Sequence, residues 1–457
     1  MGLLDMVKDA GIVGAGGAGF PTHVKLASKA EYLLMNGAEC EPLLRVDQQL
    51  MALYPDEVMM GFEAAGRLVE AKKGIIGIKG KHKQVISVLR ERILALSLGD
   101  YIEVRELPDV YPAGDEQVLV YEMTGRVVPE TGIPIQVGCV VINTETALNI
   151  YYALQGNPVT DTYITVAGDI PRRLTLKVPV GTPIADVLKL SGIEDFAGYA
   201  VIDGGPMMGP VMNQLDGFVT KKSKGYVILK NNHPLIRRKR VDKDQARRVN
   251  RAVCEQCRMC TDLCPRYLLG HNTQPHKTMR VLNYNLADLE GQKSAQLCCD
   301  CNLCEQFSCP AGLYPRAANA YFKDKLTAQG LRYERKQDEF QARGSRKYRQ
   351  VPTKRLIARI GLHDFDQPAP MEEPGLCPEI VHIAVRQHVG APSKAIVSSG
   401  DHVEKGQIIA EIPEGSLGAK AHASISGTVV NVSADYIAIR KDPFAFAQGE
   451  EEGGTKR

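Results

Sequence analysis

Nine of the twelve cysteines lie between Cys254 and Cys309; only Cys40, Cys139 and Cys377 fall elsewhere. A disulfide scaffold is short and carries cysteines throughout, so a cluster inside a chain of 457 residues reads as a metal centre. The first run is Cys254-x2-Cys257-x2-Cys260-x3-Cys264-Pro265, and the second is Cys298-x2-Cys301-x2-Cys304-x4-Cys309-Pro310. Three thiolates at two-residue intervals can wrap one [4Fe–4S] cube, while the fourth, redirected by proline, reaches the other cube. On that pattern one cluster takes Cys254, Cys257, Cys260 and Cys309, and the other takes Cys298, Cys301, Cys304 and Cys264. A pair of structural zinc sites is the competing reading, because zinc also uses C-x2-C pairs. Two consecutive sets of four, each closed by Cys-Pro, are hard to build that way. Cys299 breaks the second pattern and reads as a bystander, and Cys40, Cys139 and Cys377 read as buried apolar thiols.

The rest of the composition excludes more than it suggests. With 56 basic against 53 acidic side chains, the net charge of +3 argues neither for nucleic acid nor for an anionic membrane surface. No stretch approaches the roughly 18 uncharged apolar residues of a membrane helix, which predicts no membrane insertion. The opening Met1-Gly2-Leu3-Leu4-Asp5-Met6 lacks the basic-then-apolar build of a secretion signal. Together these features predict a soluble, intracellular protein.

Residues 1–157 alternate short apolar runs (32–36, 74–78, 102–107 and 136–142) with helical stretches at 56–70, 81–96 and 115–124. That rhythm predicts a parallel sheet covered by helices on both faces. Residues 158–232 read as a small α+β unit ending in Gly204-Gly205-Pro206-Met207-Met208-Gly209. Residues 233–345 carry a basic flank and then the cysteines. The 33 residues between Cys264 and Cys298 read as helical. The flank reads as a solvated helix face that partly offsets the clusters' negative charge. Residues 346–375 are polar and proline-rich, as in a linker. Residues 376–445 read as short-strand β structure, and the tail 446–457 as disordered.

Gly14-Ala15-Gly16-Gly17-Ala18-Gly19-Phe20-Pro21-Thr22 contains G-x-G-x-x-G. A dinucleotide-binding Rossmann turn needs a full strand before it, and only Gly11-Ile12-Val13 precede this one. Glu39 does stand where an acid would bind an NAD ribose. The narrower reading is an anion cradle of backbone N–H groups ahead of a helix, suited to a phosphate.

This loop and the following Lys25 resemble the FMN loop of the NADH-oxidising subunit of respiratory complex I and of the RnfC component of the Rnf electron-transport complex. Asn36-Gly37-Ala38-Glu39-Cys40-Glu41-Pro42, Tyr111-Pro112-Ala113-Gly114-Asp115-Glu116-Gln117 and Asn143-Thr144-Glu145-Thr146 resemble three later segments of that family, in the same order. Ala38 stands where the complex I protein has an acid, which leaves room for different nucleotide contacts. In the Rnf component a barrel-sandwich domain precedes the flavin loop. Here Gln387 to Val430 looks like that domain placed last, and this permuted order is similar to the cobalamin reductases of propanediol-utilisation microcompartments.

The resemblance implies a multidomain α/β protein. Its parts would be a Rossmann-like FMN domain, a soluble-ligand-binding β-grasp domain, an α-helical double [4Fe–4S] ferredoxin-like domain and a C-terminal β barrel-sandwich hybrid domain. It implies FMN held by Gly14, Gly16, Gly17, Gly19, Lys25 and Asn36, closed by Asn143 and Thr146. Phe20, Glu39, Glu41, Tyr111, Gly114 and Glu116 would serve flavin and NADH. The implied activity is NADH-dependent reduction of cobalamin, as substrate, inside a bacterial microcompartment. The implied partners are a cobalamin adenosyltransferase and microcompartment proteins. The alternative is a peripheral, RnfC-like part of a membrane ion-translocating NADH:ferredoxin oxidoreductase. The hairpin Ile412-Pro413-Glu414-Gly415-Ser416 has no lysine where lipoyl-type domains carry one, so no covalent prosthetic group is expected there.

Overall fold

In the computed structural model, residues 2–372 and 376–442 are described. The first domain is built on four parallel strands in the order Ile102–Leu107, Lys73–Lys79, Tyr32–Gly37, Cys139–Asn143. The inner strands are apolar almost throughout because helices cover both faces. On one face, the helix Pro55–Leu68 buries Val58, Met59, Phe62 and Ala65. It crosses Thr144–Leu154 so closely that a Cβ on Gly61 would stand 1.9 Å from the Ala147 carbonyl oxygen. On the other face, Leu34, Ile75 and Val141 pack with Leu119 and Met123 of the helix Glu116–Thr124.

The strand order reverses between Tyr32–Gly37 and Cys139–Asn143, and Asn36 pairs in register with Asn143 at their carboxyl ends. A switch point of this kind opens a crevice for a ligand. The last of these strands begins three residues later than the apolar run suggests, because Pro134–Val137 forms a 3-10 turn ahead of it.

The second unit is a five-stranded mixed sheet in which Asp161–Gly168 lies between Leu174–Pro179 and Gly225–Lys230. Tyr199–Asp203 closes one edge and Met371–Glu372 the other. The cysteine runs lie among short helices whose core is Met279, Leu282, Leu313, Ala318 and Phe322, with Cys254 and Cys309 packed against it. The C-terminal unit stacks a four-stranded sheet on a three-stranded one around Val381, Val403, Ile409, Val429 and Ile439.

Two expectations are corrected here, the open linker and the burial of two cysteines. The stretch 346–372 is not an open linker. Val351–Pro352 pairs with Val110–Tyr111, and the helix Thr353–Arg359 buries Leu356 and Ile357 against the cluster-bearing unit. Its polar, proline-rich composition hides a few large apolar side chains at helical spacing, and these are enough to dock it. Cys377 is exposed and Cys40 half-buried, whereas Cys139 is buried as expected. The tail 446–457 lies outside the described residues.

Candidate functional site

The glycine loop is a closed lobe. Val13 and Pro21 form an isolated antiparallel bridge, the Gly14 N–H donates to the Phe20 carbonyl (3.0 Å), and Thr22 N–H donates to the Ile12 carbonyl (3.0 Å). Gly16 and Gly19 have φ of 70° and 73°, a region that side chains disfavour. The Ala15 N–H donates to Thr146 Oγ1 at 3.2 Å, which ties the loop to the start of the helix Thr144–Leu154. Behind it, Val389 N–H donates to the Gly19 carbonyl at 3.1 Å, and a Cβ on Gly19 would lie 2.8 Å from the Gln387 carbonyl oxygen. The C-terminal domain therefore buttresses the N-terminal loop.

In front of the loop lies a cleft of about 340 Å³ lined by Gly14, Gly16, Gly17, Gly19 and Phe20, and by Lys25, Asn36, Gly114, Glu116, Asn143 and Thr146. All eleven are residues that the resemblance singles out. Gly17 borders open space. Lys25 Nζ donates to the Val141 carbonyl (2.9 Å) and pairs with Glu116 (3.2 Å), both side chains being partly exposed. Asn36 Nδ2 donates to the Gly114 carbonyl at 2.9 Å, and a Cβ on Gly114 would crowd Asn36 Oδ1 and Cys40 Sγ at 3.0 Å. Open backbone N–H groups, one lysine, two asparagines and a glycine floor suit a phosphate-bearing planar cofactor, and FMN is one.

A second cleft adjoins the first and shares Gly16, Asn36, Gly114 and Asn143 with it; Cys299 and Cys301 are among its other lining residues. Glu39, Glu41 and Tyr111 line this second cleft. Their polar atoms already have protein partners. The Glu39 carboxylate accepts from the N–H groups of Asp47 (3.0 Å) and Gln48 (3.4 Å) at the start of the helix Val46–Leu53. Glu41 accepts from Met207 N–H (2.8 Å) and Met208 N–H (2.9 Å) of the Gly204–Gly209 loop. Tyr111, buried, donates its hydroxyl to the Cys301 carbonyl at 2.7 Å.

The thiols of the two runs lie close enough to perturb one another. Cys309, Cys254 and Cys257 act electrostatically on Cys260, and Cys299, Cys264 and Cys304 on Cys301, while Cys304 also feels Cys260. Burial, and then those thiol neighbours, push Cys260 up to about 12, so iron binding must displace its proton. Among the described residues no three His, Cys, Asp or Glu side chains converge tightly enough to hold a single metal ion. A [4Fe–4S] cube is larger than an ion and takes one thiolate at each iron corner. The donor set, all sulfur and all unpaired, fits such a cube. Cys299, read as a bystander, lines the second cleft and lies beside Cys301 and Arg266.

Residues 7–152 match the Nuo51 FMN-binding domain, residues 253–314 a 4Fe–4S dicluster domain and residues 369–443 the RnfC barrel sandwich hybrid domain. The chain is 44% identical over 437 residues to the cobalamin reductase PduS of Salmonella typhimurium, covering 95% of each chain. It is 42% identical over 440 residues to the cobalamin reductase PduS of Citrobacter freundii, again covering 95% of each. The chain belongs to the PduS family. A relative from Acetobacterium woodii, the C component of its Na(+)-translocating ferredoxin:NAD(+) oxidoreductase complex, is 36% identical over 269 residues, 58% of this chain and 57% of that one. This PduS-family chain is thus a flavin and iron–sulfur oxidoreductase with FMN and two [4Fe–4S] clusters as cofactors. No helix among the described residues is long and apolar enough to cross a membrane.

Several residues that bring the site of this PduS-family chain together carry no local signal. Lys224 reaches in from the β-grasp unit to pair with Glu145 (2.6 Å) and Asp47 (3.1 Å), and Asn143 Nδ2 donates to the other Asp47 oxygen (3.0 Å). Arg266, just after Cys264-Pro265, pairs with Asp115 at 2.8 Å, both nearly buried. Asp115 also caps the helix Glu116–Thr124. Gly205 has no room for a side chain, since a Cβ there would stand 2.2 Å from a Glu41 carboxylate oxygen. Only the doubled glycines of Gly204–Gly209 hint at such close approach.

Glu39 supplies a testable consequence. Burial, and then the nearby Asp47 carboxylate, raise its carboxyl to about 7 from an ordinary value near 4.5. Between those values the unfolded chain's Glu39 is ionised while the folded one stays protonated. Folding therefore takes up a proton, and stability falls as pH rises through that window. Glu39→Gln keeps an acceptor for the Asp47 and Gln48 amides without the charge. It is expected to unfold at higher denaturant than the parent at pH 8 and to lose that advantage at pH 4.5. An equal shift at both pH values would contradict this.

Proposed function

We propose that this chain carries electrons from NADH to cobalamin, reducing cob(III)alamin to cob(II)alamin and then cob(I)alamin. FMN takes two electrons as a hydride and yields them singly, and iron–sulfur clusters carry one at a time. The observation that carries the reading is the shared wall of the two clefts. Gly16, Asn36, Gly114 and Asn143 belong to both, and Cys301 also lines the second. The hydroxyl of Tyr111, bonded to the Cys301 carbonyl, fixes that wall against the flavin side.

In this reading Lys25 and the amides of residues 14–19 hold the FMN phosphate. Asn36, Asn143 and Thr146 orient the cofactor, and Phe20, at the mouth, meets the nicotinamide. Cys254, Cys257, Cys260 and Cys309 ligate one cluster, and Cys298, Cys301, Cys304 and Cys264 the other. The full-length similarity to two cobalamin reductases supports a corrin as the acceptor. The same reading places the chain inside a microcompartment beside a cobalamin adenosyltransferase, which would capture cob(I)alamin before it is reoxidised.

The test is anaerobic spectroscopy of purified, flavin-loaded protein with NADH and hydroxocobalamin. The corrin spectrum is expected to change at least about tenfold faster than free FMN and NADH drive it. Lys25→Ala is expected to lower flavin occupancy and rate together, because a point charge on the phosphate is lost. A corrin spectrum changing no faster than in the protein-free control would overturn the reading in favour of a peripheral part of a membrane complex.

A further inference from the structure

The helix Lys243–Val253 runs directly into the first cysteine run, with Cys254 as its C-cap. Ala246 and Asn250, four residues apart, are its buried contacts. Asn250 is clasped at both ends of its amide by the Tyr314 backbone, donating to the carbonyl (3.0 Å) and accepting from the N–H (2.8 Å). That clasp fixes which side of the helix faces out. Arg248, Val249, Arg251 and Val253 are exposed, and so is Cys257 just beyond them.

The eleven residues of this helix carry four basic side chains against one acidic, whereas the whole chain is nearly neutral. Among the described residues neither Arg248 nor Arg251 has an ion-pair partner. Arg258, one residue past Cys257, is half-exposed and only loosely paired with Asp262 at 3.5 Å. Glu255 is an exposed acid of the same turn. Unpaired arginines around two exposed valines form a charged rim about a small apolar centre. Weak protein–protein encounters between redox partners use that composition.

We propose that this face, from Arg248 and Arg251 across Val253 to Cys257 and Arg258, is the docking surface for a small acidic one-electron carrier protein. It goes beyond the reduction of a free corrin, and it rests on reading Cys257 as a cluster ligand, which makes this the place where a cluster comes nearest the surface. Charge complementarity sets the partner. Carboxylates on its surface would meet Arg248 and Arg251, which pair with no acidic side chain among the described residues, giving fast, salt-sensitive and short-lived association.

The probe is flavodoxin, an acidic FMN protein, titrated calorimetrically against the full chain at low ionic strength. Binding is expected to weaken at least about tenfold on raising salt from about 0.05 to 0.3 M, because exposed charges are then screened. Arg248→Glu with Arg251→Glu should weaken it by a similar factor at low salt. A milder pair, Arg248→Gln with Arg251→Gln, should give an intermediate loss, and circular dichroism checks that both are folded. The reaction with free hydroxocobalamin should be unchanged in both. Absence of binding at low salt, or equal affinity in parent and charge-reversed protein, would overturn the proposal. So would tighter binding to a mixed-sequence DNA duplex under the same conditions, which would make the face a generic polyanion surface. Iron and sulfide content, measured separately, tests the cluster reading and does not enter this result.

Discussion

Cys309→Ala is expected to remove the cluster of the first run and leave that of the second, although Cys309 closes the second run in the sequence. Iron and labile sulfide in anaerobic protein should fall from about eight of each to about four. The reason lies in where the chain turns. Pro310 follows Cys309, and the thiols of Cys309, Cys254 and Cys257 all act electrostatically on Cys260. Cys264 correspondingly feels Cys299 and Cys298 and acts on Cys301, while Cys304 feels Cys298, Cys260 and Cys264. Double substitutions separate crossed from sequential ligation, because two ligands of one cluster cannot be lost twice. Cys309→Ala with Cys257→Ala should retain about as much iron as either alone, and Cys309→Ala with Cys301→Ala should retain almost none. The opposite pattern would mean that each run closes its own cluster, and stoichiometric zinc without sulfide would remove both readings.

Lys224→Met is expected to destabilise the fold by several kcal/mol. Its ammonium sits between Glu145 and Asp47, with side-chain exposures of 1% and 10%. Breaking a buried pair by removing one partner costs about 3–5 kcal/mol, because the remaining charge has neither water nor a counter-ion. Burial alone would lower the lysine pKa, but the two carboxylates more than reverse it, and the folded value lies above the ordinary 10.5. The stabilisation is therefore fully present at neutral pH and is lost only as pH rises beyond about 10.5. The deficit is read from the denaturant midpoints of parent and variant at pH 8. Flavin occupancy should drop as well, since a Cβ on Gly16 would lie 3.0 Å from the Lys224 side chain. A variant with parental stability at pH 8 would show that the two acids do not need the lysine.

Much of the fold is legible in the residues themselves. A period of two residues and a period near 3.6 are properties of neighbouring side chains, so the strands at 32–37, 73–79 and 102–107 can be read locally, as can the helices at 55–68 and 83–95, though not the helix at 46–53. Gly16 and Gly19 announce positive φ in a loop because no other residue adopts it freely. The cysteine spacings carry the iron–sulfur reading because three ligands of one cube must come from a single tight turn of chain.

The residues that assemble the site are not legible in this way. Lys224 with Asp47, Glu41 with the Met207 and Met208 amides, Tyr111 with the Cys301 carbonyl, and Arg266 with Asp115 are each contacts between distant parts of the chain. A lone lysine or tyrosine looks the same in sequence whether it faces water or a buried partner. The docking of 346–372 escapes a sequence reading because its few apolar side chains matter only once a surface exists to receive them. Sequence alone therefore determined the local periods, the glycine loop and the sulfur donor set, since these depend on covalent spacing and backbone sterics. Tertiary structure alone decided that Gln387 backs the flavin loop and that Cys301 lines the second cleft. Buried polar groups must find partners wherever packing brings the chain together, and no local pattern encodes that meeting.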